Sequence, residues 1–412
     1  MNILLVSLVD IRAAEEPGIY TDLARALARR GHAVTVLSPA ERRHGLTGGV
    51  KDLWRCAEGG CVRVVKVRTG NIQKTGAVEK GISTLLMGAW LRRGIRRYLG
   101  DVRFSLVVYA TPPITVAGVV RYIKRRDGAR SYVMLKDIFP QNAVDLGMLP
   151  TKGLMGLLYR YFCRRERQLY AVSDRIGCMS RANVDYLLAH QPQLARHTVG
   201  ICPNAAEVRL CHADEAQRQS IRARYGLPTA VPIVIYGGNL GKPQGIDFLI
   251  ACLDRLRERQ DVHFVIAGDG TERHRLAAAL RKNAQDNVTL LPQLPQTQYE
   301  SLAGACDIGL ILLDHRFTIP NYPSRLLSYL QAGLGVLACT DTVSDVGQTV
   351  ESGGFGAWCQ SNDTAAFEAA LFRLLAADRD ELRQRAQACL RECFSVDRAC
   401  RAVLGEAEEG EA

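Results

Sequence analysis

Arg325 follows Ser324 at the point where the stretch Ile319 to Gly347, IPNYPSRLLSYLQAGLGVLACTDTVSDVG, turns from a proline-punctuated loop to helical spacing. A guanidinium in the first turn of a helix, beside N–H groups without intrahelical partners, is suited to holding an anion. Ser324 is placed to act as the N-cap, and Tyr322 and Pro323 shape the loop before it. A second place of this kind is the run Gly237-Gly238-Asn239-Leu240-Gly241-Lys242-Pro243-Gln244-Gly245. Its four glycines let backbone amides approach phosphate oxygens, and Lys242 adds a point charge. Gly268-Asp269-Gly270 is a weaker signal, since a tight turn explains it almost as well. Lys136-Asp137 sets an ammonium beside a carboxylate directly after the apolar run Tyr132 to Leu135. No D-x-D pair stands in a loop and no His and Cys fall at zinc-site spacing, so no metal and no cofactor are expected.

The elements that carry these residues repeat one grammar. Asn2 to Leu8, a helix from about Ile19 to Arg30 and a strand at Ala33 to Leu37 form a βαβ unit, which predicts a doubly wound parallel sheet. G-x-G-x-x-G is missing from it, so a dinucleotide fingerprint is not supported. Further buried strands are predicted at Phe104 to Ala110, Tyr132 to Leu135, Ile176 to Met179 and His197 to Ile201. The strand ending at Ala110 is closed by Thr111-Pro112-Pro113; ligands in such sheets bind beyond the carboxyl ends of the strands, which groups Val9-Asp10, Thr111-Pro112, Lys136-Asp137 and Ser180. Pro203-Asn204-Ala205 marks a boundary. The pattern then restarts with strands at Ile233 to Tyr236, His263 to Ala267, Val288 to Leu291, Ile308 to Leu313 and Leu334 to Cys339. The expected architecture is α/β, with two Rossmann-like domains, residues 1–202 and 203–385, facing across an interdomain cleft. Residues 386–412 are expected to form a C-terminal helix and a frayed acidic tail from Gly405 onward. By themselves, the helix start at Ser324 and the strand after it also fit an ordinary αβ step of such a sheet.

Length and composition fit a soluble globular chain of two or three domains: 412 residues, 47% hydrophobic and 23% charged. The 13 cysteines are scattered and include no C-x-x-C, so a reducing compartment is expected. Met1 to Val9 reads as a strand and not as a secretory leader, and no apolar run is long enough to span a membrane. The net charge of +11 is unevenly divided. Residues 1–200 hold 32 Lys and Arg against 15 Asp and Glu, while the remainder holds 21 against 27. An anionic partner for the first half follows. Ile82 to Leu99 and Leu154 to Tyr170 set Leu, Trp and Phe beside clustered arginines, the pattern of helices that lie in a membrane interface. Surface helices with solvated arginines would read the same way. Nucleic acid is the poorer partner, because these arginines adjoin apolar runs and not stacking aromatics.

The motifs GIYTDLARALARRGHAVTVLSP, LKDIFPQNAVDLGML, PNAAEV, YGGNLGKPQGIDFLI, FVIAGDGTE, NVTLLPQLPQ and SRLLSYLQAGLGVLA occur in that order over nearly the whole length. Together they resemble glycosyltransferase family 4, GT-B enzymes that use nucleotide-activated sugars, and within it the bacterial surface-polysaccharide subgroup. The resemblance implies a retaining, metal-independent hexosyl transfer from a nucleotide-sugar, a UDP-sugar being favoured over GDP- or TDP-sugars. The acceptor would be lipid-pyrophosphate-linked or a polysaccharide precursor for O-antigen, capsule or exopolysaccharide. It would work at the cytoplasmic face of the membrane, held peripherally on an anionic surface. The implied donor-binding residues are Gly238, Asn239, Gly241, Lys242, Gln244, Asp269, Gln293, Leu294, Tyr322, Pro323, Ser324, Arg325 and Ser328. Asp137 and Lys136 would be catalytic, where many relatives carry a His-Asp pair.

Two departures stand out. The family histidine is replaced by Lys136. The two glutamates that the family usually carries eight positions apart fall on Pro320 and Ser328, and no glutamate occurs between Ser301 and Val350. Two alternatives therefore stay open: a non-catalytic sugar-nucleotide-binding partner of a transferase, and a sugar-nucleotide 2-epimerase. The latter needs paired carboxylates and a histidine around one sugar carbon, which the second half does not obviously offer.

Overall fold

Apolar runs separated by amphipathic helices fold into two parallel sheets, each in its own unit. The computed structural model describes residues 1–412 except 43, 44, 46, 72–75, 113 and 407–412, and the side chains of 77, 78 and 80 are also outside it. Pro113 and the end of the expected acidic tail thus lie outside the described residues. One unit comprises Met1–Glu207 and Ser395–Ala412, the other Val208–Phe394.

In the first unit the strands are β1 (Asn2–Val6), β2 (Ala33–Glu41), β3 (Gly49–Arg55), β4 (Cys61–Thr69), β5 (Leu106–Ala110), β6 (Arg130–Leu135), β7 (Arg175–Cys178) and β8 (Val199–Ile201). They are ordered β3-β4-β2-β1-β5-β6-β7-β8, parallel except for the β3–β4 pair. The β3–β4 hairpin is an addition to the predicted strands. The order sets the carboxyl ends of β5 and β6 side by side. Thr111 N–H donates to the Met134 carbonyl at 3.1 Å, and Lys136 N–H donates to the Thr111 hydroxyl at 3.0 Å.

The C-terminal boundary is corrected. Arg379–Cys393, expected in part to begin a C-terminal segment, stays with the second unit, and only the helix Val396–Leu404 returns to the first. The reason is its apolar face. Val396, Ala399, Cys400 and Val403 fall at i, i+3, i+4 and i+7 and are buried in the same core as Leu23, Leu27 and Ala205. Val396 N–H donates to the Ala206 carbonyl at 3.0 Å, and Arg30 pairs with Glu406 at 2.8 Å.

The second unit carries β9 (Ile233–Asn239), β10 (His263–Asp269), β11 (Val288–Leu291), β12 (Ile308–Leu312), β13 (Gly335–Thr340) and β14 (Gly356–Gln360). Their order is β11-β10-β9-β12-β13-β14, all parallel. Its core runs through Val234, Tyr236, Leu249, Leu253, Phe264, Leu310 and Phe367. Register places Gly268 beside Gly238 and Asp269 beside Asn239, so the two glycine motifs adjoin at the carboxyl end of the sheet. Asp307 fastens the helix Glu215–Arg224 to this sheet, accepting from Arg218 at 2.9 Å, Arg222 at 2.7 Å and the Ile233 N–H at 2.8 Å.

Candidate functional site

At the end of β9 the chain must pass beneath two large side chains, and glycine is what permits it. A Cβ on Gly237 would stand 2.1 Å from the Tyr299 ring, and one on Gly238 would stand 1.9 Å from an Arg325 guanidinium nitrogen. Gly238 also has φ +121°, a conformation that L side chains rarely adopt. Gly268 and Gly270 fit against the carbonyls of Gly238 and Leu240 in the same way. These glycines are first of all a close-packing device.

Arg325, reached from the other side by the helix Arg325–Ala332, lies with its guanidinium over the Tyr236 ring, 4.4 Å from the centroid. The guanidinium is buried among Tyr236, Tyr299 and Tyr329, and it stays protonated although burial works against its charge. Tyr236 donates to the Asn239 carbonyl at 2.7 Å, and Tyr329 donates to the carbonyls of Leu310 at 2.9 Å and Ile235 at 3.2 Å. The Tyr299 hydroxyl is buried without a hydrogen-bond partner. Arg325 is thus a buried cation seated among three tyrosines, and among the described residues no carboxylate pairs with it.

Ser324 does not cap the helix as expected. Its backbone is already helical and its hydroxyl makes no capping bond. Instead Leu326 N–H donates to the Pro323 carbonyl at 3.2 Å and Leu327 N–H to the Ser324 carbonyl at 3.1 Å, a tight turn that engages two of the first-turn amides. Tyr322 is engaged within its own unit. Its hydroxyl donates to Thr349 at 2.9 Å and its ring packs 5.9 Å from Phe394. Ser328 is half-buried on the helical face of Arg325, three residues on, and Pro320 is buried.

What holds the 320–323 loop was missed in the sequence. Asn321 N–H donates to the Ser344 hydroxyl at 2.8 Å, which itself donates to Asp341 at 3.0 Å. Asp341 accepts the N–H groups of Val343 at 3.0 Å and Ser344 at 2.7 Å. The available signal was the D-T-V-S spacing, an Asp able to bond the backbone two and three residues on.

The glycine loop is braced by its own amides. The Gln244 side-chain oxygen accepts from the Asn239 amide at 3.0 Å and from Gly241 N–H at 3.2 Å, and Leu240 N–H donates to the Asp269 carbonyl at 2.9 Å. Asn239 and Gln244 therefore position the loop. Lys242 is exposed at its crown. Asp269 is exposed and accepts from Gly270 N–H at 2.9 Å; Gln293 is exposed and Leu294 half-buried.

In the first unit, Asp137 accepts from the Asn142 amide at 2.7 Å. Burial pushes its carboxyl up to about 6, with the Asn142 bond and the Ile138 N–H pulling the other way. Lys136 donates to the Pro203 carbonyl at 3.3 Å, and burial draws its ammonium below the ordinary lysine value. It is a tether to the end of the 203–206 segment more than a free cation.

Two family models match the chain in succession: "Glycosyl transferase 4-like domain" over residues 19–204 and "Glycosyl transferases group 1" over residues 217–389. Among curated relatives, WcaI of Escherichia coli, provisionally named a colanic acid biosynthesis glycosyl transferase, is 24% identical over 60% of this chain. The match spans 60% of that relative's length. Among solved structures, sucrose-phosphate synthase from Thermosynechococcus elongatus aligns with a TM-score of 0.73 at 15% identity, covering 98% of this chain and 96% of that one. HepE of Anabaena in complex with UDP and glucose aligns at 0.67 and 14% identity, covering 98% of each. Two parallel-sheet units in this order, matched end to end by these models and folds, place the chain in glycosyltransferase family 4, with the GT-B fold.

Proposed function

We propose that the protein is a retaining glycosyltransferase that moves a sugar from a nucleotide-sugar to a lipid-pyrophosphate-linked acceptor in surface-polysaccharide synthesis. The observation that carries this reading is Arg325, a buried cation with no carboxylate partner among the described residues, seated on Tyr236 against the bare backbone of Gly238. A donor diphosphate supplies the missing anion. As the glycosidic bond to the diphosphate breaks, charge builds on the phosphate oxygens, and a preorganised guanidinium, with Lys242 on the exposed glycine loop, favours that state over the ground state. In this scheme the two side chains supply the charge that a divalent metal would otherwise bring. Asp137, ionised above its raised value, orients the acceptor or stabilises the oxocarbenium-like sugar. The HepE complex, which contains UDP, and the name of WcaI support a UDP-sugar and a surface glycan respectively.

A peripheral position on the inner face of the membrane belongs to the same reading. Leu154, 83% exposed, and Met155, Leu157 and Leu158 are exposed at the start of the helix Met155–Val172. Ile82, Leu85 and Leu86 are exposed on the helix Ala77–Tyr98, and both helices pack against the turn Ile114–Val116. Arg92, Arg93, Arg96, Arg97, Arg160 and Arg164 are exposed on the same two helices. Apolar groups entering the interface and arginines at anionic headgroups would act together.

The absence of carboxylates at Pro320 and Ser328 favours one rival, a non-catalytic sugar-nucleotide-binding partner. Incubation with a panel of UDP-, GDP- and TDP-sugars, reading thermal shift and nucleoside diphosphate release, separates the two. An enzyme stabilised by one donor class and slowly hydrolysing it is expected; stabilisation with no release by any donor would overturn the transferase reading.

A further inference from the structure

Within the first unit, the loop after β6 and the helices Met155–Val172 and Arg181–His190 enclose a cavity of about 350 Å³. That is at the lower end of the roughly 300–1,000 Å³ of small-molecule pockets. Tyr159, Cys163 and Glu166 line it at i, i+4 and i+7 of one helix, so a continuous helical face forms the wall. Glu166 is 8% exposed, without a cation as hydrogen-bond or ion-pair partner; Tyr170 donates to one carboxyl oxygen at 2.9 Å. Burial pushes this carboxyl up to about 7. Opposite stand Pro140, Gln141 and Leu187, with Gln193 exposed at the rim.

A carboxyl kept in a cavity beside aromatic and aliphatic surfaces and amide side chains matches a ligand with many hydroxyls and a C–H face. It does not match a phosphate, because the one full cation among the described lining residues, Arg167, is exposed and stands beside the Glu166 carboxyl, with His190 the other basic side chain. We propose that this cavity binds one saccharide unit, and, on the reading that the chain is a glycosyltransferase, that the saccharide belongs to the acceptor. The loop that forms its wall, Ile138 to Gln141, follows Asp137 directly, and Asn142 at the loop's end holds the Asp137 carboxylate. A filled cavity therefore steadies the catalytic carboxylate.

Saturation-transfer NMR on the full chain, with methyl glycosides of hexoses, N-acetylhexosamines and 6-deoxyhexoses as probes, tests this. At least one glycoside should bind, with affinity falling fivefold or more in Glu166→Ala and in Gln193→Trp, which obstructs the rim without touching the core. Arg325→Ala and added UDP should leave that binding unchanged. The inference is overturned if no glycoside binds, if binding survives both cavity variants, or if UDP or Arg325→Ala abolishes it. Failure of UDP to bind the native chain, with the glycoside result as expected, would instead remove the donor reading and leave the saccharide cavity standing.

Discussion

Gly238 and Arg325 centre the proposed site at the scale of single residues, because the guanidinium occupies the space that a side chain at Gly238 would need. Alanine at Gly238 meets a left-handed backbone that costs roughly 1–2 kcal/mol and a guanidinium already in the space of its Cβ. Gly238→Ala is expected to weaken UDP binding about tenfold or more by calorimetry while circular dichroism stays native; unaltered affinity would separate the two residues. Asp137 gives a pH test. Its folded value of about 6 lies above the ordinary 3.8, so between these values the folded chain holds more protons than the unfolded one. Its contribution to stability is therefore fully present at low pH and is lost as pH rises through that window. Turnover, which needs the ionised form, should rise through about pH 6. Asn142→Ala removes a donor to the charged form and should move that inflection upward by about half to one pH unit. A downward shift would contradict the role. The sequence made Arg325, Gly238 and Asp137 legible as charge, bare backbone and carboxylate. Tyr322, Asn239 and Gln244 were legible only as residue types. That their polar groups brace the fold depends on partners three to twenty-seven residues away.

Among the elements, the sheets and most helices follow from apolar periodicity, and the exceptions have physical causes. Cys61–Thr69 carries Arg63, Lys66 and Arg68, which suggests a charged surface segment. It forms a strand because Val62, Val64, Val65 and Val67 are buried, and Lys66 is buried beside them in an ion pair with Asp10. The helix Val396–Leu404 has a clear apolar face, yet nothing local says which core it joins. Ending the chain at Phe394 would uncover that face's socket on the helix Ile19–Arg29, and Val396→Asp with Val403→Asp would place charge inside it. Both changes should lower the melting transition of the first unit by several degrees or abolish folding; an unchanged transition would show that this helix adds nothing to the core. On the helix Met155–Val172, Leu157→Glu with Leu158→Glu should reduce co-sedimentation with anionic vesicles several-fold. Both side chains are exposed, so the melting temperature should hold.

At the scale of the whole molecule, the charge division and the fold point to one division of labour. The excess of 32 cationic over 15 anionic residues lies in the first 200 positions, while the diphosphate-binding machinery proposed here lies in the second unit, whose nucleotide site needs only a few cations. Vesicle binding should accordingly weaken steeply as salt is raised from 0.05 to 0.5 M, roughly as the Debye length shrinks, whereas UDP binding should weaken far less. The fold was legible because seven motifs fall in order along the chain. The replacement of both family glutamates left the sugar contacts unspecified, and the proposed function puts the weight of donor binding on Arg325. Calorimetric titration of UDP into the native chain, Arg325→Lys and Arg325→Ala tests that most directly. Loss of charge-assisted hydrogen bonds worth about 1.5–3 kcal/mol should weaken binding by roughly ten- to a hundredfold in Arg325→Ala, with partial retention in Arg325→Lys and native circular dichroism for both. UDP affinity within twofold of native in a folded Arg325→Ala would contradict the account.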